Sequence, residues 1–248
     1  MSDDDRTRRG IERSLRIYYD DQRDTAAMDA LYGRFVKPGD LVFDVGSHVG
    51  DRIAAFRRLG AHVIACEPNP SLVPTLRRLY GRDDMVTLEP VAVGAQPGEI
   101  DMRINTDNPT VSTASTDFVK ASQGAPGWEG QQWDKSIKVP VTTLDALIAL
   151  HGAPAFVKID VEGFEAEALA GLTQPIAALS FEFTTIQRDV ARACVSRCQA
   201  LGYLRYNAAL GESQALVHDD WQSAEAIVRW LDGLLLEANS GDVYAVRG

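Results

Sequence analysis

From residue 41 onward, short apolar runs alternate with helix-patterned stretches, and this alternation constrains the chain more than any other feature. LVFDVG is followed by DRIAAFRRLG, then by HVIACEP, SLVPTLRRLYG and MVTLEPVAVG. A short apolar run bounded by turn formers reads as a buried strand, and apolar residues at three- and four-residue spacing read as a helix. Strands and helices taking turns at this spacing build right-handed βαβ units. They predict an α/β fold with a doubly wound, mostly parallel sheet and helices on both faces. Gly60 is placed to end the first helix, and Pro74 sits in the first turn of the second, where its missing N–H does little harm.

Upstream, residues 1–10 are charged and read as frayed, and the pattern from Ile11 to Val36 reads as one helix closed by the turn Lys37-Pro38-Gly39-Asp40. Downstream, EIDMRIN reads as a strand. Residues 106–136 then turn rich in Ser, Thr, Gly, Pro, Asn and Asp; at this length they read as a lid or substrate loop. IKVPVTTLDALIALHG, AFVKIDVEG, FEAEALAGL, ALSFEFTT and RDVARACVSRCQALGY restore the alternation. LRYN, QALVH, the helix SAEAIVRWLDGLL and DVYAVR close the chain with an antiparallel pair. Without repeats or linkers, residues 1–248 read as one domain. It has an N-terminal helical extension (1–37), a core (38–184) and a C-terminal part of the same sheet (185–248).

A net charge of -10 argues against a nucleic-acid backbone as partner, because phosphate binding wants a basic face. No apolar run is long enough to span a bilayer, and MSDDDRTRRG is unlike a signal peptide, so cytoplasmic residence is expected, with no membrane partner. Three cysteines without paired spacing read as buried small hydrophobes.

Three clusters carry chemistry. Asp44-Val45-Gly46-Ser47-His48-Val49-Gly50-Asp51 ends the first strand and opens a helix; glycine lets backbone turn tightly and approach a ligand. Glu67 ends the second strand about 20 residues later, where an acid accepts hydrogen bonds from ribose hydroxyls. Together they favour a nucleoside site. Gly46-x-x-x-Gly50 matches the dinucleotide fingerprint poorly. Asp51 would repel a pyrophosphate at the helix N-terminus, although an acid there is also simply favoured by the helix dipole. Lys158-Ile159-Asp160-Val161-Glu162-Gly163 ends a further strand at the carboxyl edge, where open α/β sheets bind ligands. Its bland reading is a Lys158–Asp160 salt bridge with Glu162 capping the next helix.

In order and spacing, DVGSHVG, ACEPNP, PVAVG, TTLDALI, VKIDVEGFEAEALAG and LSFEF resemble the FkbM family of methyltransferases, from about Asp40 to Thr184. The resemblance implies a class I methyltransferase (Rossmann-like) fold: a seven-stranded sheet with a reversed last strand. It also implies S-adenosylmethionine as cofactor and O-methylation of a hydroxyl on a sugar, polyketide or related small metabolite. Asp44, Gly46 and Gly50 match the methionine-side loop, Glu67 the ribose acid, Val91-Ala92 the segment beside adenine, and Asp160 the acid beside the reaction centre. His48 stands where the family commonly has Asn; His48 and Asp51 are counted among the cofactor-loop residues.

A hydroxyl acceptor must lose its proton, which calls for a base. Asp160 is the first candidate, with Glu162 and Glu182 behind it and His48 as a further option. Glu182 would be raised in pKa if buried between Phe181 and Phe183, or else paired with Lys158 or a backbone amide. Asp160 and Glu182 could hold Mg²⁺, but no dedicated ligand set is evident, and no metal is assigned. Trp128 and Trp133 either stack on a substrate ring or anchor the loop. A nicotinamide-dependent oxidoreductase and a non-catalytic binding protein of the same fold are the competing readings. The N-terminal helix leaves room for a homo-oligomer.

Overall fold

The computed structural model describes residues 2–19 and 25–247. The chain opens with α1 (Asp3–Tyr18) and α2 (Ala26–Tyr32). It then runs β1 (Leu41–Val45), α3 (Asp51–Arg58), β2 (His62–Cys66), α4 (Val73–Tyr80) and β3 (Val86–Glu89). A middle section holds β4 (Ala92–Val93), β5 (Gly98–Ile104), α5 (Thr116–Ser122) and β6 (Lys135–Thr142). The rest is α6 (Leu144–His151), β7 (Phe156–Ile159), α7 (Glu165–Ala170), β8 (Ala178–Thr184), α8 (Arg188–Ala200), β9 (Arg205–Leu210), α9 (Ala224–Gly233) and β10 (Ser240–Val246).

Seven strands form the main sheet in the order β3-β2-β1-β7-β8-β10-β9. All pair in parallel except β10, which runs antiparallel to both neighbours. The order reverses between β1 and β7, so the loops after these two strands diverge and leave a crevice at the carboxyl edge. One face packs Phe43, Val45, Ile159 and Phe181 under α6 to α9, the other Val42, Phe156 and Tyr244 under α2 and α3. The expected doubly wound sheet with a reversed last strand is therefore present.

Several local expectations are corrected. The single helix over 11–36 is two, and 20–24 of that span lie outside the described residues. The expected fraying over 1–10 is not found in its described part, 2–10: Ser2 accepts from the Asp5 N–H as N-cap, acids fill the first turn, and Arg6 ties the helix to the distant Asp107. MVTLEPVAVG is not one strand. Pro90 cannot donate to a ladder, so β3 stops at Glu89 and β4 joins a second, three-stranded sheet, β4-β6-β5, that covers the crevice. Residues 106–136 carry a 3₁₀ turn at Pro109–Val111, α5 and the start of β6, stitched around a small core of Val111, Phe118 and Trp128. QALVH forms no strand; the Val217 N–H bonds Ala208, and the ladder continues through β9 instead.

Candidate active site

The glycine loop is dictated by a close crossing of chains. Gly46 has φ +87°, and a Cβ there would lie 1.7 Å from the Asp160 carbonyl oxygen. The two strand ends meet because the Asp160 N–H donates to Val45, while the Gly46 and Ser47 N–H groups donate to the Cys66 carbonyl. The same loop turns the His48 N–H onto Glu67 Oε2 at 2.8 Å, and Asn69 N–H reaches Glu67 Oε1 at 2.8 Å. Glu67 is thus fixed in direction by backbone donors from both sides. Burial pushes its carboxyl up to about 7, against the pull of those two N–H groups.

Asp44 is fully buried, and neither of its carboxylate oxygens has a hydrogen-bond partner among the described residues. Burial pushes it up to about 7 as well. A buried carboxylate left in this state calls for a cationic partner. His48 is pushed down to about 4 by burial, so its imidazole is neutral; Nε2 lies 3.3 Å from Thr110 Oγ1. Asp51 does not stand alone at its helix N-terminus. Arg52 Nη1 holds it at 2.5 Å and Nη2 holds Glu212 at 2.9 Å, so the expected repulsion of a pyrophosphate by Asp51 loses much of its force.

Two cavities meet over this loop. One, of about 600 Å³, is lined by Gly46, His48, Glu67, Val91, Ala92 and Asp160, with Met102 and Val139 of the second sheet as its roof. The other, of about 970 Å³, is lined by Tyr18, Asp44, Asp51, Glu162, Glu182 and Asn239. Asp160, Glu162, His48, Gly46 and Thr110 line both. The candidate cofactor residues are therefore gathered in one place except Gly50, which lines neither cavity and turns toward Tyr80, Leu76 and Ile53 instead; Asp160 and Glu162 stand where the cavities join, and Glu182 lines the second alone. An adenosine with a cationic methionine arm fits them: an acid aimed by backbone amides for ribose, a glycine turn with no room for a Cβ, and an unpartnered buried carboxylate for an ammonium.

The acids are not equivalent. Lys158 is fully buried, and its Nζ donates to Asp160 Oδ2 at 3.0 Å and Asp242 Oδ1 at 2.7 Å. The expected Lys158–Asp160 pair is present; Asp242, directly opposite Glu182 in the β8–β10 ladder, is its second half. Burial works to raise the Asp160 carboxyl, but Lys158 beside it more than offsets this and holds it below the ordinary range. Glu162 and Glu182 are pushed well up, by burial and then by the charge of Asp160. Lys158 and burial thus push the acids apart, Asp160 toward the carboxylate and Glu162 and Glu182 toward the neutral acid. Glu162 does not cap α7, because Glu165 takes the Val161 and Gly163 N–H groups. The side-chain partners of Lys158 are Asp160 and Asp242 rather than Glu182. One oxygen from each of Asp160, Glu162 and Glu182 can come within 4.8 Å of the others, a set able in principle to hold a divalent ion.

Among the loop tryptophans, Trp133 Nε1 donates to the Val111 carbonyl at 2.8 Å and anchors the loop. Trp128 packs edge-on to Phe118 and lines the larger cavity. Sequence reasoning missed Tyr18, Arg52, Asn239 and Asp242. Only Asp242 left a trace, as an acid opening an apolar strand.

Comparison with known proteins accords with this geometry. The Methyltransferase FkbM domain matches residues 44–231. The Hexuronic acid methyltransferase AglP of Haloferax volcanii is 28% identical over 155 residues, 61% of this chain and 57% of that protein, so the match spans little more than half of the relative. A TehB-like SAM-dependent methyltransferase from Corynebacterium glutamicum superposes with a TM-score of 0.48 at 11% identity, over 96% of each chain. A precorrin-6y C5,15-methyltransferase from Geobacter metallireducens gives 0.44 at 12%, over 91% of this chain and 90% of that one. These last likenesses are too loose to carry an argument. The domain match covers most of the chain, and the glycine turn, Glu67 and Asp160 lie within it. The chain belongs to the FkbM family of methyltransferases, class I in fold and dependent on S-adenosylmethionine.

Proposed function

We propose that the protein O-methylates a hydroxyl of a sugar or related small metabolite, with Asp160 as the base. One observation carries this reading. Asp160 lines both the cavity assigned to the cofactor and the cavity beside it, and Lys158 keeps it ionised there. The distant likeness to a hexuronic acid methyltransferase supports a sugar as acceptor.

When bound, S-adenosylmethionine supplies a methyl group on a sulfonium, whose departure needs no protonation. Asp44 would take the ammonium of the methionine arm, Glu67 the ribose hydroxyls, and Val91-Ala92 the adenine flank. Their work is alignment, the largest lever available to an in-line displacement. Asp160 would accept a hydrogen bond from the acceptor hydroxyl. As the new C–O bond forms, that oxygen becomes strongly acidic, so even a carboxylate held low by Lys158 suffices to take the proton. Glu162 and Glu182, raised toward the neutral acid by burial, would donate hydrogen bonds to neighbouring oxygens of the acceptor and fix its orientation.

The test is transfer of isotopically labelled methyl from S-adenosylmethionine to glucuronic acid, galacturonic acid and their methyl glycosides, followed by mass spectrometry. Label on a hydroxyl oxygen supports the reading, and label found on nitrogen, carbon or sulfur acceptors alone removes it. Asp160→Asn should lower kcat by about 10²–10⁴-fold while S-adenosylhomocysteine still binds.

A further inference from the structure

α1 lies outside the matched domain, yet it touches both walls of the cofactor cavity. On one side Arg6 holds Asp107 through two bonds, at 2.9 and 2.6 Å, and Asp134 at 2.8 Å. Arg13 donates to the Asp107 carbonyl at 2.9 Å and to Asn108 at 3.1 Å. These residues open the segment whose Pro109, Thr110 and Ser112 line the cavity. Contact there is close enough that a Cβ on Gly10 would sit 2.6 Å from Pro109 Cδ. On the other side Tyr19 donates to the Val49 carbonyl at 3.0 Å and meets the Tyr80 hydroxyl, which itself donates to Gly50. The residues just beyond the helix thereby reach the glycine loop.

The attachment is of a particular kind. The helix buries only Gly10 and Ser14, while Ile11 and Leu15 are half-buried and Ile17 is exposed. Ion pairs and hydrogen bonds near the surface hold its first turns, and Tyr18 meets His48 edge-on at its end; no wide apolar face is buried, and elements held in this way open locally at small cost. Beneath it a third cavity, of about 1090 Å³, runs between α1, the start of α4 and the β5–β6 hairpin. Ile104 and Ile137 line it, on the same hairpin face as Met102 and Val139 of the cofactor cavity. Asn69, whose N–H holds Glu67, lines it too, with a buried Nδ2 that has no partner among the described residues. The space beneath α1 lies against the cofactor cavity, parted from it by Asn69 and by the hairpin residues Met102 to Ile104, and the two share no lining residue.

We propose that α1 is a latch, that lifting it joins the space beneath it to the cofactor cavity so that cofactor enters and leaves there, and that Arg6 is the positioning residue that holds it shut. The inference rests on the cofactor reading above. Tyr18 at the end of α1 lines the site, but Arg6, Gly10 and Asp107 line neither of its cavities, so a latch loosened through them scales entry and exit alike. Loosening it accelerates both rates and leaves affinity unchanged, whereas damage to the binding site changes affinity.

The experiment measures association and dissociation of S-adenosylhomocysteine by stopped-flow tryptophan fluorescence, with Kd from calorimetry, on the full chain. Arg6→Gln and Asp107→Asn break the same pair from opposite sides. Gly10→Ala wedges the helix off Pro109 while favouring helix formation, so it separates undocking from unfolding. Each should raise both rates about two- to fivefold, with Kd within about twofold, since an exposed charged pair is worth at most about that factor. Unchanged rates in all three variants, or a rise in dissociation alone with weaker Kd, would overturn the latch. An absence of S-adenosylhomocysteine binding by the unaltered chain would overturn the cofactor reading, and the latch with it.

Discussion

At the scale of single residues, the site turns on which buried charges have partners. Lys158 is satisfied by Asp160 and Asp242, so removing it strands two acids in a dry interior. Lys158→Met should cost about 3–5 kcal/mol in urea unfolding, and adding Asp242→Leu should recover part of it by removing one stranded acid. Equal stability of the single and double variants would remove the pair from this role. Asp44 and Glu67 sit at the opposite extreme, raised to about 7 with their ligand side open. A carboxyl raised in the folded state favours folding below its unfolded value, and that contribution is lost as pH rises toward 7. The free protein should therefore lose stability from these groups between about pH 4.5 and 7. Binding of the cationic methionine arm needs Asp44 ionised, so S-adenosylhomocysteine affinity should rise across the same window and level off above it. Calorimetry from pH 5.5 to 8.5 checks this, and Asp44→Asn should flatten the profile. In the acid cluster Lys158 already faces Asp160, and burial pushes Glu162 and Glu182 toward the neutral acid, so no ion is needed to hold the three together. Methyl transfer should then survive EDTA and gain nothing from added Mg²⁺; a rate that collapses on chelation would assign Asp160, Glu162 and Glu182 to a metal instead.

At the scale of elements, the inner strands of the main sheet, β1, β2, β7 and β8, were readable because each is a short, mostly apolar run flanked by turn formers, the pattern of a strand buried on both faces; the edge strands β3 and β9 were read with wrong limits or partners. β4 was not readable, because Pro90 ends one ladder and two residues suffice to begin another, leaving no change in periodicity to detect. The 106–136 segment was legible by composition as irregular, but its internal order depends on Phe118 meeting Trp128 and Trp133 from positions 10 and 15 residues away. Such contacts are tertiary and have no local period. They also make this small core separate from the two that hold the sheet. Phe118→Ala removes its central ring, a change worth about 3–5 kcal/mol in a packed core. The loss should fall on the segment alone: faster hydrogen exchange and proteolysis over 112–134, with the strands β1, β2 and β7 protected as before. Loss of protection throughout the sheet would show that the segment is not an independent unit.

At the scale of the molecule, the family match ends at 231 and begins at 44, yet the site is closed by what lies beyond both limits. Tyr18 precedes it; Asn239, Ser240 and Asp242 follow it. The motifs of the core could be read in order along the chain because glycine turns and strand-end acids act where they stand in sequence. The contributions of the ends could not, because they exist only once β10 is inserted between β8 and β9 and α1 is laid over the loop. The two ends are nonetheless unequal in what they support. β10 pairs on both edges, fills the core with Val243, Tyr244 and Ala245, and supplies one of the two acids that neutralise Lys158. α1 covers the site without entering either core of the sheet. Deleting 240–248 should therefore leave a chain without cooperative thermal unfolding. Deleting 2–19 should leave one that melts cooperatively within about 2–4 °C of the full chain, the shift expected for a loss near 1 kcal/mol in a domain of this size. Circular dichroism melts of the two truncations decide it, and a folded chain without β10 or an unfolded one without α1 would reverse the assignment.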